Sequence, residues 1–255
     1  MSLHRARAAP STLPAACARL ILKILALDTS TEWCSVALWL DGRLLSRDER
    51  AGQRHSELLL PMIDALLGES GLALTDLDGL AFGAGPGSFT GLRIACGVTQ
   101  GLAFGAGLRV VPVGTLEALA EASAAPRVVA ALDARMDEIY HAAYVREGAD
   151  WREVHAPSLC APAAAPPIEG ADWTGCGNGF AVQGGALRAR YAGQLREVRD
   201  ELQPHARDMV RTAAQRFAQG GGLDPAQAAP LYVRDKVALS VAERAARQAL
   251  APERP

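Results

Sequence analysis

The chain has 255 residues, 49% of them hydrophobic, enough for a sizeable core in one or two domains. Its 26 basic and 28 acidic residues give a net charge of −2 and are spread along the chain, so no basic stripe marks an autonomous nucleic-acid binder, and 5% aromatics argue against base-stacking platforms. Five cysteines (Cys17, Cys34, Cys96, Cys160, Cys176) without a Cys-x-x-Cys pair point to reduced thiols in a cytoplasm, and no apolar run approaches the ~20 residues of a membrane span.

Residues 1–23 carry Arg5, Arg7 and Arg19, no acid and two prolines, and read as a disordered extension outside the fold. Ile24-Leu25-Ala26-Leu27 is a buried-strand run ending in Asp28, followed by the polar turn Thr29-Ser30-Thr31 and a strand over 34–40. Asp41-Gly42 signals a hairpin into a third strand over 43–50. Leu58, Leu59, Met62, Ile63, Leu66 and Leu67 recur at helical spacing between Ser56 and Gly68, and His55 before them reads as a surface residue.

The stretch 80–105 organises the rest. Leu80-Ala81-Phe82 suits a short strand, and Gly83-Ala84-Gly85-Pro86-Gly87 is a turn that a strand interior would not tolerate. Ser88 and Thr90 are N-cap residues for a helix from Gly91 to Gly105. Strand, Gly-rich turn and helix N-terminus suit an anion, but there is no Gly-Lys-Ser/Thr ending and no Rossmann spacing, so turn geometry accounts for Gly85, Pro86 and Gly87 equally well. Gly91, Ala95, Gly97, Gly101 and Gly105 leave one helix side bare. Each interior Gly costs about 1 kcal/mol relative to Ala, so another backbone must approach, from its own sheet or from a partner.

A strand over 109–113 and a helix capped by Thr115 follow, and then the opening pattern recurs. Val128-Val129-Ala130-Ala131-Leu132 ends in Asp133, turns through Ala134-Arg135-Met136 and continues as a strand over 138–145. The repeat divides the chain into α/β halves, 24–122 and 123–235, with a C-terminal helix and tail over 236–255. Residues 156–172 read as irregular, and 173–179 as a second Gly-rich turn. Ala206, Met209, Val210, Ala213, Ala214 and Phe217 form a helical stripe stopped by Gly220-Gly221-Gly222, and Leu231-Tyr232-Val233-Arg234 is a short extended piece.

An Asp that closes a strand before a Thr/Ser turn is how actin-like and sugar-kinase-like ATPases hold phosphates and magnesium. Asp28, with Thr29 and Ser30, and Asp133 are the weak nucleotide-binding candidates, facing each other across a cleft if the halves are pseudo-symmetric. Both turns lack the glycine that lets a backbone wrap a phosphate. The five histidines show no i, i+3 or i, i+4 pair, no serine sits in a Gly-x-Ser-x-Gly elbow, and no catalytic constellation or metal site emerges.

Four blocks carry a resemblance: residues 24–30, 85–94, 132–140 and 231–236, of which Gly85-Pro86-Gly87-Ser88-Phe89-Thr90-Gly91 is the most specific. Together the chain resembles the TsaB (YeaZ) family of bacterial tRNA threonylcarbamoyladenosine biosynthesis proteins. Gln100 stands where that family usually has lysine. The resemblance implies an α/β fold of two pseudo-symmetric actin-like (ASKHA, ribonuclease H-like) lobes. It implies a non-catalytic partner of the related transferase TsaD, acting with the ATPase TsaE. That complex modifies the adenosine 3′ of the anticodon (A37) in tRNAs reading codons that begin with A, so tRNA is met indirectly. ATP is used by the complex, and this subunit needs no cofactor of its own. In TsaD the helix after the corresponding strand bears two metal-binding histidines, whereas residues 113–119 here contain none. Family dimers bury first-lobe helices, which places Leu58, Leu59, Met62, Ala95, Gly97 and Gly101 at an interface with TsaD, or with a second copy when alone. Two other readings stay open: an active ATPase or kinase of the same fold using Asp28 and Asp133, and a TsaD-like transferase in its own right.

Overall fold

The structure, a computed structural model, describes residues 22–234. In β1 (Lys23–Asp28), Leu25 and Leu27 enter one core while Ile24 and Ala26 enter another, so both faces of the strand are covered. β1 pairs antiparallel with β2 (Trp33–Leu40), which turns through Asp41-Gly42 into β3 (Arg43–Arg50). Both turn residues have positive φ, 47° and 97°, as that dipeptide predicts. On its other side β1 runs parallel to β4 (Gly79–Gly85), and β4 parallel to β5 (Arg109–Gly114).

The second half repeats this plan. β6 (Arg127–Asp133) pairs antiparallel with β7 (Ile139–Glu147), and β7 with β8 (Asp150–Cys160). β9 (Trp173–Cys176) runs parallel to β6, and β10 (Leu195–Arg199) parallel to β9. The orders β3-β2-β1-β4-β5 and β8-β7-β6-β9-β10 are the same, with the same strand directions. The repeat read at Asp28 and Asp133 therefore extends to two whole sheets.

Helices α1 (His55–Ser70) and α2 (Phe89–Ala106) cover one face of the first sheet, with Leu59, Ile63, Leu66 and Ala95 against Leu25, Leu27 and Phe82. α3 (Thr115–Ser123) sends Leu116, Leu119 and Ala120 onto Val128 and Ala130 of the second sheet, while its Ala118 joins the core under the first. The second lobe adds the five-residue α4 (Ala186–Arg190). α5 (Ala206–Ala218) lays Ala206, Met209, Val210 and Ala213 against Ile24, Ala26 and Ala81. The stripe expected on α5 is there, and it covers the first sheet from the far end of the chain. Residues 1–21 of the expected N-terminal extension, and the helix and tail expected over 236–255, lie outside the described residues.

Several expectations need correcting. β4 continues through Gly83-Ala84-Gly85 rather than breaking after Phe82, because a Cβ at Gly83 would overlap the Asp28 carboxylate on the neighbouring strand. Residues 150–160 form β8 in a segment read as irregular from 156 onward, and Trp173–Cys176 is a strand rather than a turn. Gly175 belongs in that strand because the Phe180 ring packs where its Cβ would stand. The ends of α1 and α2 fall at Gly71 and Gly107, both left-handed, and not at Gly68 and Gly105.

Candidate functional site

A cleft of about 880 Å³ opens between the lobes. Its first-lobe wall is the turn after β1 (Ser30, Thr31) and the loop Pro86–Thr90, and its second-lobe wall is Asp133–Met136 with Tyr140 and Asn178. Leu231–Arg234 runs along it.

The two first-lobe elements are joined by a compact set of hydrogen bonds. Thr29 Oγ1 donates to the Gly91 carbonyl at 2.6 Å, the Ser88 amide donates to the Ser30 carbonyl at 2.7 Å, and Ser88 Oγ accepts from the Gly91 amide at 3.3 Å. Ser88 is the N-cap, as expected. A Cβ on Gly87 or Gly91 would run into the carbonyl oxygens of Ser30 and Thr29. These glycines thus let the β1 turn seat against the start of α2. Ser88 and Thr90 remain exposed on the cleft wall, and Gly85 holds φ of 110° ahead of Pro86.

The two carboxylates are not equivalent. Asp28 has no exposed surface and does not line the cleft. Its Oδ1 accepts from the Ser30 amide at 3.3 Å and its Oδ2 from the Ser30 hydroxyl at 3.0 Å. Burial pushes its carboxyl up to about 7 despite those bonds. Asp133 does line the cleft, but its carboxylate caps its own turn, accepting from the Arg135 amide at 2.7 Å and approaching the Arg135 guanidinium at 3.4 Å. Arg135, Met136 and Asp137 are all left-handed, with φ of 65°, 59° and 64°. The expected pair facing across a cleft is therefore one solvent-facing and one sealed group. Among the described residues, no group of three or more His, Cys, Asp and Glu is arranged to hold a metal ion.

The stretch 113–119 has a structural use. Glu117 accepts from Arg216 Nη2 through both carboxylate oxygens at 2.8 Å, joining α3 to α5. Gln100 donates to the Ala228 carbonyl at 3.0 Å and does not line the cleft.

Of the residues expected at an interface, Leu59, Met62 and Ala95 point into the first lobe's own core, because they fall on the inward stripe of α1 and α2. Leu58 is half-buried against that core. Gly97 and Gly101 face outward, together with Gly105, and nothing lies within 4 Å of where their Cβ atoms would stand. Beside them Phe104 is 81% exposed, and Leu60 on α1 is 46% exposed. The chain's own sheet therefore makes no use of these three glycines.

Sequence reasoning missed several residues of the cleft. His55 is buried, with Nε2 3.0 Å from the Thr31 carbonyl, and not on the surface. Asn178 accepts from the Asp133 amide at 2.8 Å, and its only signal is its place between Gly177 and Gly179. Tyr232 and Arg234 lie in a block that reads as a short extended piece, with nothing in it that marks either residue for the cleft.

A Haemophilus influenzae protein named tRNA threonylcarbamoyladenosine biosynthesis protein TsaB is 39% identical over 229 residues, 85% of this chain and 95% of its own length. The Escherichia coli protein of the same name is 39% identical over 226 residues, 85% of this chain and 96% of that one. This chain belongs to the TsaB family. A solved structure described as YeaZ from Pseudomonas aeruginosa is 42% identical, with a TM-score of 0.76 over 83% of this chain and 99% of that one. The TsaD family, tRNA N6-adenosine threonylcarbamoyltransferase, also matches residues 47–241, spanning parts of both lobes. The two mixed sheets are thus the two lobes of an actin-like α/β fold, as the TsaB resemblance implied. Among the described residues, no helix is long and apolar enough to cross a membrane.

Proposed function

We propose that this TsaB-family chain is a non-catalytic subunit of cytoplasmic tRNA threonylcarbamoyladenosine biosynthesis. In this reading it pairs through the outer face of α1 and α2 with a TsaD-type transferase. TsaE supplies ATP hydrolysis to the complex, tRNA is met indirectly for modification at A37, and a second copy of the chain takes the TsaD position when it is absent. This chain binds no cofactor of its own.

One observation carries the reading. Gly97, Gly101 and Gly105 face outward along α2 with open space above them, beside the exposed ring of Phe104. Three glycines on this helix are a cost of about 1 kcal/mol each that nothing among the described residues recovers, and close approach of a second helix does recover it. The non-catalytic part is supported by the sealed Asp28, by the self-capped Asp133 and by Glu117 held in a structural ion pair where TsaD is implied to carry metal ligands.

Mixing the purified chain with TsaD and following co-elution by size-exclusion chromatography tests the pairing. Gly97→Leu and Gly101→Leu are expected to abolish co-elution while circular dichroism shows an intact fold. Unchanged co-elution places the interface elsewhere. ATP hydrolysis by the isolated chain that Asp28→Ala abolishes, or threonylcarbamoylated tRNA made without a partner, overturns the non-catalytic reading.

A further inference from the structure

The block Leu231-Tyr232-Val233-Arg234 has no part in the reading above, yet it touches both lobes. The Leu231 amide donates to the Ala84 carbonyl at 2.7 Å, near the end of β4 in the first lobe. The Tyr232 ring lies 5.7 Å from the Phe89 ring at the start of α2, and its hydroxyl accepts from Arg93 Nε at 3.0 Å. The Arg93 guanidinium stacks 3.7 Å above Phe89, so the tyrosine is held by an aromatic and cationic seat. Two residues later the chain has crossed the cleft. Arg234 Nη2 donates to the Ala134 carbonyl at 3.0 Å and to Glu138 Oε2 at 2.7 Å, both in the second lobe, and Nη1 reaches Met136 Sδ at 3.5 Å. The Arg234 side chain is 13% exposed.

We propose that Leu231–Arg234 is an interlobe strap that sets the opening of the cleft, with the Arg234–Glu138 pair as its clasp. Lobes within one chain move relative to one another by default unless a large apolar interface locks them, and hinge closure around a cleft is one such motion. α3 and α5 join the sheets at their cores, but the cleft's lining includes no residue of either helix. Across the cleft the strap supplies what a bound ligand supplies elsewhere, a set of contacts to both walls at once. The clasp suits this use because a charge-assisted bond from a largely buried guanidinium is directional and favours a single separation. A rigid angle between lobes is a property of the isolated chain, so this inference stands or falls independently of the proposed partner.

Double electron–electron resonance on the full chain reads that angle. Spin labels go at Ser56→Cys on α1 and Arg196→Cys on β10, both exposed positions, in a Cys17→Ser, Cys160→Ser background. The unmodified strap is expected to give one narrow interlobe distance. Arg234→Met and Glu138→Gln are each expected to lose it for a broad distribution, with the double variant no broader than either single one. Tyr232→Ala, which releases the first-lobe end, is expected to do the same. Superimposable distributions in the clasp variants, with far-UV circular dichroism unchanged, overturn the strap, as does a broad distribution in the unsubstituted chain. Should Arg234→Met fail to fold, Glu138→Gln breaks the same clasp from its more exposed side and decides the question.

Discussion

The carboxylate of Asp28 occupies the space that a Cβ on Gly83 would fill. The parallel register that sets Leu27 beside Phe82 brings the next residues, Asp28 and Gly83, together at the ends of β1 and β4. Gly83→Ala therefore forces either the carboxylate or the strand to move, and is expected to destabilise the chain by about 2–3 kcal/mol. The severe overlap is with the Asp28 carboxylate, with Met209 Cε a lesser neighbour at 3.1 Å, so Gly83→Ala combined with Asp28→Ala is expected to recover at least about 1 kcal/mol relative to the sum of the single changes. Urea unfolding of the four species measures the coupling, and additive costs would show that the crowding lies elsewhere.

Asp28 also makes stability depend on pH. Burial pushes its carboxyl up to about 7, while an unfolded aspartate titrates near 4. Between those values the folded chain holds a proton that the unfolded chain has released, so this group's contribution falls as pH rises through that window. Asp208, pushed up by burial to about 6, acts in the same direction. His141, pushed down by burial to about 4, opposes them, since its contribution is lost as pH falls below the ordinary histidine range. The Asp28→Asn difference from the parent isolates one group. It is expected to favour the variant progressively from pH 4 to pH 8, by about 2 kcal/mol at the upper end, with about 4 kcal/mol as a ceiling from three pKa units. A flat difference across this range would remove Asp28 as the source.

The outward glycines of α2 give a prediction of opposite sign. With helical backbone and open space at each, Gly97→Ala and Gly105→Ala are expected to stabilise the isolated chain by about 0.5–1 kcal/mol. Thermal melting of the dilute protein measures this. A lowered Tm would mean that the glycines serve a contact inside the chain.

Within the second lobe, the Tyr191 hydroxyl donates to the Pro166 carbonyl at 2.6 Å and accepts from His141 Nε2 at 2.9 Å. With the hydroxyl's own hydrogen on Pro166, the hydrogen of the second bond is on His141 Nε2, and burial keeps the ring neutral by pushing its titration down to about 4. Tyr191→Phe strands the buried His141 Nε2 and the half-buried Pro166 carbonyl, and is expected to cost about 1–3 kcal/mol. Urea unfolding measures the cost, and an unchanged stability would show that neither group depends on the hydroxyl.

Much of this fold is legible in the chain. The Asp41-Gly42 hairpin, the Ser88 cap and the α1 and α5 stripes fall where local chemistry puts them. β8 and β10 were not visible because both are edge strands with mixed exposure, and Asp150–Cys160 carries Pro157 and no clean alternation. At the site, Asp28 and Asp133 were legible as strand-ending acids, and nothing local distinguishes them.

The sequence by itself determined the elements, the repeat of strand, Asp, turn and strand, and the absence of histidine from residues 113–119. Those follow from residue spacing and backbone preference, which act over a few positions. Only the tertiary structure decided that Asp28 is sealed while Asp133 meets the cleft, that α5 returns to the first sheet, and that Leu59, Met62 and Ala95 turn inward while Gly97 and Gly101 stay free. Each of these depends on what stands across from a residue, set by contacts between segments far apart in the chain, and periodicity carries no record of the other side.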